Sequence, residues 1–107
     1  MATTTIEVKS SESNFITPLS QIAYPGGKIK FHTDGGEFSI RIKNAISFLN
    51  IPESDLKVII NGTTNPDSPE YSVRNVDVDI NEEINIYSKA DDKWPEAPPK
   101  IIIVANQ

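Results

Sequence analysis

Apolar and polar residues alternate one for one along several stretches of this chain. Ile6 and Val8 alternate with Glu7 and Lys9, and Ile29 and Phe31 with Lys28, Lys30 and His32. Phe38, Ile40 and Ile42 alternate with Glu37, Ser39, Arg41 and Lys43. Val76, Val78 and Ile80 alternate with Asp77 and Asp79, and the same parity resumes at Ile84 and Ile86. Strand side chains point to opposite faces with a period of two, so this pattern describes half-buried β-strands. Two continuous apolar runs, Val58-Ile59-Ile60 and Ile101–Val104, read as strands buried on both faces, the second of them central in its sheet.

Turn chemistry divides these segments. Asp34-Gly35-Gly36 predicts a tight hairpin between Lys28–Thr33 and Glu37–Lys43. Asn61-Gly62 predicts a turn, and the polar stretch to Pro69 a loop. Ala45, Ile46, Phe48 and Leu49 have helical spacing, which predicts a short helical insertion with Phe48 and Leu49 inward. The long excursion from Asn44 to Asn61 suits a crossover between sheets. The pattern as a whole predicts an all-β fold, a two-sheet Greek-key sandwich of about seven or eight strands.

The 107 residues fit one domain, 1–107, with 37% hydrophobic and 23% charged residues as in ordinary globular chains. A net charge of −5 with no basic run disfavours a phosphate backbone as partner, so no nucleic acid is expected. No cysteine is present, which removes disulfides, thiolate catalysis and Cys-based zinc sites. Met1–Ile6 lacks a basic and then apolar leader, and the longest apolar run, Ile101–Ala105, is far short of a membrane span. A soluble protein, cytoplasmic by default and without membrane partners, is the expectation.

Two segments resemble the cupredoxin-like family of β-sandwiches. Tyr24-Pro25-Gly26-Gly27-Lys28-Ile29-Lys30-Phe31 is similar to the Pro-Gly turn and alternating strand before that family's first copper-ligand region. Val76–Ile80, a turn at Asn81-Glu82-Glu83, and Ile84–Ser88 are similar to its penultimate strand pair, followed by the loop Lys89–Pro99 and the final strand Lys100–Val104. The resemblance implies the family's sandwich topology; an immunoglobulin-like sandwich is the competing arrangement. In copper-binding members the loop supplies Cys, His and often Met. Here Ser88 stands near the expected thiolate, the Glu37–Phe38 region has no histidine, and the loop has no Cys, His or Met. Blue copper requires a thiolate and two imidazoles, so no copper and no other cofactor is expected.

The remaining candidates are few. His32, the one histidine, shares a strand face with Lys28 and Lys30 and reads as a surface residue whose replacement by alanine leaves stability nearly unchanged. Asp77-Val78-Asp79-Ile80-Asn81 opens like a calcium loop, but Glu82 and Ser88 stand where an EF-hand needs Gly and Glu. A weak cation site from Asp77, Asp79, Glu82 and Glu83 stays open. Trp94, the one tryptophan, is either a recognition anchor or, as the favoured reading, a lid folded onto the end of the core. Asn61-Gly62-Thr63 matches a glycosylation triplet and reads as a plain turn.

No catalytic constellation emerges. The expected function is a non-catalytic protein-interaction or structural module, using loops at one end of the sandwich that carry Tyr24 and Trp94. The alternatives are a binding module for carbohydrate or a divalent cation, and an assembly subunit.

Overall fold

A computed structural model describes residues 3–105. Nine short strands follow one another along the chain: β1 (Thr3–Glu7), β2 (Ser20–Ala23), β3 (Lys28–His32), β4 (Glu37–Ile42), β5 (Leu56–Asn61), β6 (Tyr71–Ser72), β7 (Ile80–Glu83), β8 (Asn85–Ser88) and β9 (Lys100–Ile103). They form three hydrogen-bonded groups, β1-β3-β6, β2-β9-β7 and β5-β4-β8. The all-β sandwich expected from the alternation is present. β2 and β6 are the additional strands. β6 has only two residues, too few to show a period.

The inward positions are those the alternation selects. Ile6, Ile29, Phe31, Phe38, Ile40, Ile42, Ile86, Ile101 and Ile103 are buried in one continuous core. A 3-10 turn at Ala45–Ser47 carries Phe48 and Leu49 into that core, as the helical spacing predicted. β9 is central, between β2 and β7, as expected of its apolar run.

Pairing differs from the local reading in four places. First, β3 and β4 are not a hairpin. β3 pairs with β1 in parallel and with β6, whereas β4 pairs with β5 and β8. The Asp34-Gly35-Gly36 turn therefore carries the chain from one sheet to another, with Gly36 at φ +83°. A tight turn fixes a change of direction, and the strand partner is decided by which apolar faces meet.

Second, the excursion from Asn44 to Asn61 is no crossover. β4 and β5 are antiparallel neighbours, with Ile42 opposite Leu56 and Glu37 opposite Asn61. The intervening residues fold back over the core through Phe48 and Leu49. Third, β5 is not buried on both faces: Ile59 points to the outer face of its sheet and is 57% exposed. Fourth, Val76–Asp79 is not a strand. Asp77 and Val78 lie in bends, Val78 is exposed, and strand structure begins at Ile80. The expected turn at Asn81–Glu83 is instead the pairing segment of β7 with β9. Ile84 then leaves that ladder, its N–H donating to the Pro99 carbonyl, and β8 joins β4.

Among the described residues no helix is long and apolar enough to cross a membrane.

Candidate functional site

The outer face of the β5-β4-β8 sheet is built by the same alternation that fills the core. With Phe38, Ile40 and Ile42 inward, Ser39, Arg41 and Lys43 point outward. Register sets two rows across this face. One runs Ile59–Ser39–Tyr87, the other Lys57–Arg41–Asn85.

The loop after β8 brings Trp94 to this surface. Ser88 and Lys93 exchange both backbone hydrogen bonds (3.0 and 3.2 Å), and the Ser88 hydroxyl donates to Asp91 at 3.1 Å. This tight turn sets Trp94 beside Tyr87, with ring centroids 5.1 Å apart and planes tilted by 55°. The Tyr87 hydroxyl donates to Asp92, which fixes the ring from the loop side. Trp94 remains 62% exposed, so it is not the core lid that the sequence favoured. The physical reason is local: an outward aromatic on β8 offers it a partner without entering the core.

Together these residues wall a groove of about 790 Å³. Its lining includes Arg41, Lys43 and Lys57 and no carboxylate. Arg41 donates to Asp55 through Nε (3.1 Å) and Nη2 (2.6 Å). The Asn44 backbone N–H, followed by Arg41, holds the Asp55 carboxyl below its ordinary value. Lys43 and Lys57 make no ion pair among the described residues. The groove is thus a locally cationic strip, with an aromatic wall, on an acidic chain.

Tyr24 is exposed but belongs to another part of the molecule. It follows the last residue of β2, which pairs with Ile103 at the end of β9, whereas Trp94 precedes the start of β9. Tyr24 does not line the groove, and the expected joint surface of Tyr24 and Trp94 does not form. The four acids near Asp77 do not converge either. Asp79 accepts a hydrogen bond from the Ala105 N–H, and strand alternation sends Glu82 and Glu83 to opposite faces.

His32 is embedded in a set of carboxylates that sequence distance conceals. Asp67 accepts from Nδ1 at 2.8 Å, and Asp34 lies 2.8 Å from Nε2. The 66–68 segment pairs along β3: Thr33 N–H donates to the Pro66 carbonyl, Ser68 N–H donates to the Phe31 carbonyl, and Phe31 N–H donates to the Ser68 hydroxyl. Glu7 flanks His32 from β1, its register partner. Asp34, then Asp67, and more weakly Glu7 raise the imidazole above its ordinary value of 6.5, against a smaller lowering by burial. His32 in turn holds the Asp67 carboxyl below its ordinary value of 3.8.

The sign of the pH dependence follows. A raised histidine contributes stability that is full below about 6.5 and is lost as pH rises through the folded value. The lowered Asp67 contributes above about 3.8 and loses its part as pH falls below that. We expect the melting temperature to decline between pH 6 and 9 in the native chain and to lose that slope in His32→Gln. An unchanged slope in the variant would assign the decline elsewhere. His32→Ala is accordingly expected to matter more in acid than in alkali, rather than to be neutral throughout.

Asn61 is occupied by the fold. Its Oδ1 accepts from the Thr63 and Thr64 N–H groups (2.9 and 3.3 Å), and its Nδ2 donates to Glu37 at 3.1 Å. That is a turn anchored to β4, in keeping with the plain-turn reading of the triplet.

The residues present do not fit a blue-copper centre. Ser88 is fully buried, with its hydroxyl engaged by Asp91. The one histidine lies on β3 between Asp34 and Asp67. The chain has no thiol to complete a thiolate–imidazole set.

No family model matches the chain, and no curated protein matches it. Among solved structures it is similar to a mutant of amicyanin in its reduced Cu(I) form at pH 4, with a TM-score of 0.57 and 7% identity, over 94% of this chain and 81% of that one. At that identity the likeness is one of fold, and it gives this chain a cupredoxin-like β-sandwich.

Proposed function

We propose that this chain is a non-catalytic binding module that uses the outer face of β4, β5 and β8 to hold an acidic carbohydrate. The observation that carries the reading is the exposed Trp94 braced on Tyr87 beside Lys43 and Lys57, in a groove without a carboxylate. A pyranose ring presents a C–H face that stacks on an aromatic plane. Its uronate carboxylate meets the two lysines. Ser39 and Asn85, outward on the same face, offer hydrogen bonds to hydroxyls. A purely apolar partner surface would not need a cationic row, and a neutral sugar would leave that row unused.

Polygalacturonate oligomers are the probe. Titration by calorimetry should give saturable binding that weakens with salt. Trp94→Ala should reduce affinity at least about tenfold, the scale of one lost hot-spot aromatic. Lys43→Ala combined with Lys57→Ala should remove the salt dependence. Equal binding of a neutral oligosaccharide, or binding of polyglutamate in place of polygalacturonate, would overturn the assignment.

A further inference from the structure

His32 presents a problem of charge that its geometry states directly. Both ring nitrogens lie 2.8 Å from carboxylate oxygens, Nδ1 from Asp67 and Nε2 from Asp34. A neutral imidazole carries one N–H, so one nitrogen would set its lone pair against a carboxylate. The arrangement favours a cation at the ring: a second proton, or a metal ion in its place.

The two nitrogens are not equivalent. Asp67 is fixed by the backbone pairing of the 66–68 segment along β3, and Lys30 lies 3.5 Å from the same oxygen. Its carboxylate therefore selects Nδ1 as the N–H. Asp34 sits in the turn after β3, and its side chain is 80% exposed. Nε2 is the nitrogen that faces movable ligands. A carboxylate oxygen of Glu7, another of Asp34 and one ring nitrogen of His32 all lie within 4.8 Å of one another, the one such grouping of metal-ligating side chains among the described residues.

We propose that Glu7, His32 and Asp34 form a divalent-metal site of the zinc class, in which the metal replaces the imidazolium proton at Nε2. One imidazole and two carboxylates suit zinc, with the fourth position left to water. Asp67 is the outer partner, accepting from Nδ1–H and holding the ring's tautomer and direction, as carboxylates do for metal-bound histidines. The exchange balances. Zinc forms a bond to Nε2, the N–H bond breaks, and the proton goes to buffer. Calcium, which prefers six or more oxygens, gains nothing from the imidazole.

This site is separate from the groove and does not depend on its ligand. The charged groups facing the ring are Glu7 from β1, Asp34 from the turn, Asp67 from the 66–68 segment and, through Asp67, Lys30 from β3. Together they set how strongly the proton competes with the metal.

Zinc alone is the probe, followed by calorimetry in two buffers of different ionisation enthalpy. One zinc should bind per chain, with protons released as it binds. Asp67→Asn should weaken binding by about 10–100-fold, the range for lost outer partners. Glu7→Gln and His32→Gln should weaken it further. Glu7 and Asp34 are exposed, so Glu7→Gln should keep its metal-free melting temperature near that of the native chain; if it does not, Asp34→Asn replaces it. Zinc binding unchanged in His32→Gln, or no binding at millimolar zinc, would each overturn the site.

Discussion

Gly62→Ala is expected to lower the melting temperature by about 5–20 °C, for a cost of about 1–3 kcal/mol in a domain of this size. A Cβ placed on Gly62 would sit 2.5 Å from the Cα and N of Gly35 and 2.7 Å from the carbonyl carbon of Asp34. All three are backbone atoms, so no rotamer change relieves the contact. The Gly62 N–H also donates to the Gly36 carbonyl at 2.9 Å. Opening this approach would therefore disturb the turn that carries the chain from β3 to β4 and holds Asp34 near His32. Gly35→Ala is the internal control. Its Cβ meets nothing within 4 Å, so this variant should be neutral or slightly more stable, by up to about 1 kcal/mol through the unfolded chain. Thermal melts of the two variants test the point. Similar losses in both would show that the region responds to any added side chain rather than to this close approach.

The two glycines also show where the sequence was legible. Asp34-Gly35-Gly36 and Asn61-Gly62 announce turns, and turns are there. Neither motif says that the two must pack against each other, because nothing local encodes a contact between residues so far apart in the chain. Alternation succeeded for the same reason that turn chemistry stopped short. It reports which face of a strand is buried, and Phe38, Ile40 and Ile42 are buried accordingly. It does not report the partner. β3 therefore read as hairpin-paired with β4, although its ladders run to β1 and β6.

The acids of Asp77 and Asp79 mimic a wet strand face, yet their segment bends and Val78 stays exposed. Period two is necessary for a half-buried strand, but a strand also needs a neighbour with free backbone groups. β9 offers those only to Ile80–Glu83.

The candidate sites divide in the same way. Trp94 was visible as a lone aromatic on a proline-rich loop, and the outward parity of Ser39, Arg41 and Lys43 was visible on β4. Their meeting was not, because it depends on the Ser88–Lys93 turn and on Tyr87 facing outward from β8. Parity also put His32 outward, as observed. The acid that orients its ring, Asp67, arrives from a loop 35 residues later through a β-like pairing with β3. A single turn residue, Asp34, was the only part of that cluster readable beside it.

Phe15→Ala is expected to be strongly destabilising, at about 3–5 kcal/mol. Phe15 and Ile16 stand as a lone apolar pair between Ser13-Asn14 and Thr17-Pro18, too short to show a strand period, so nothing in their neighbourhood marks the ring as core. It is nonetheless fully buried and meets Phe38 edge to face, with centroids 5.6 Å apart. Truncation removes the ring, leaves a cavity beside Phe38 and loses a pair contact of about 0.5–1.5 kcal/mol. The melting temperature should fall by at least about 12 °C. The backbone supplies a second test. Phe15 has φ +65°, a left-handed conformation that costs a residue with a Cβ about 1–2 kcal/mol. That strain persists only because burying the ring gains more. Once the ring is gone, glycine should suit the position at least as well as alanine. Phe15→Gly should thus melt no lower than Phe15→Ala, although it is smaller and more flexible when unfolded. Phe15→Leu should retain more stability than either. A glycine variant clearly below the alanine one would mean that the left-handed conformation is not under strain. An alanine variant within 1 kcal/mol of the native chain would mean that the loop before β2 does not close the core.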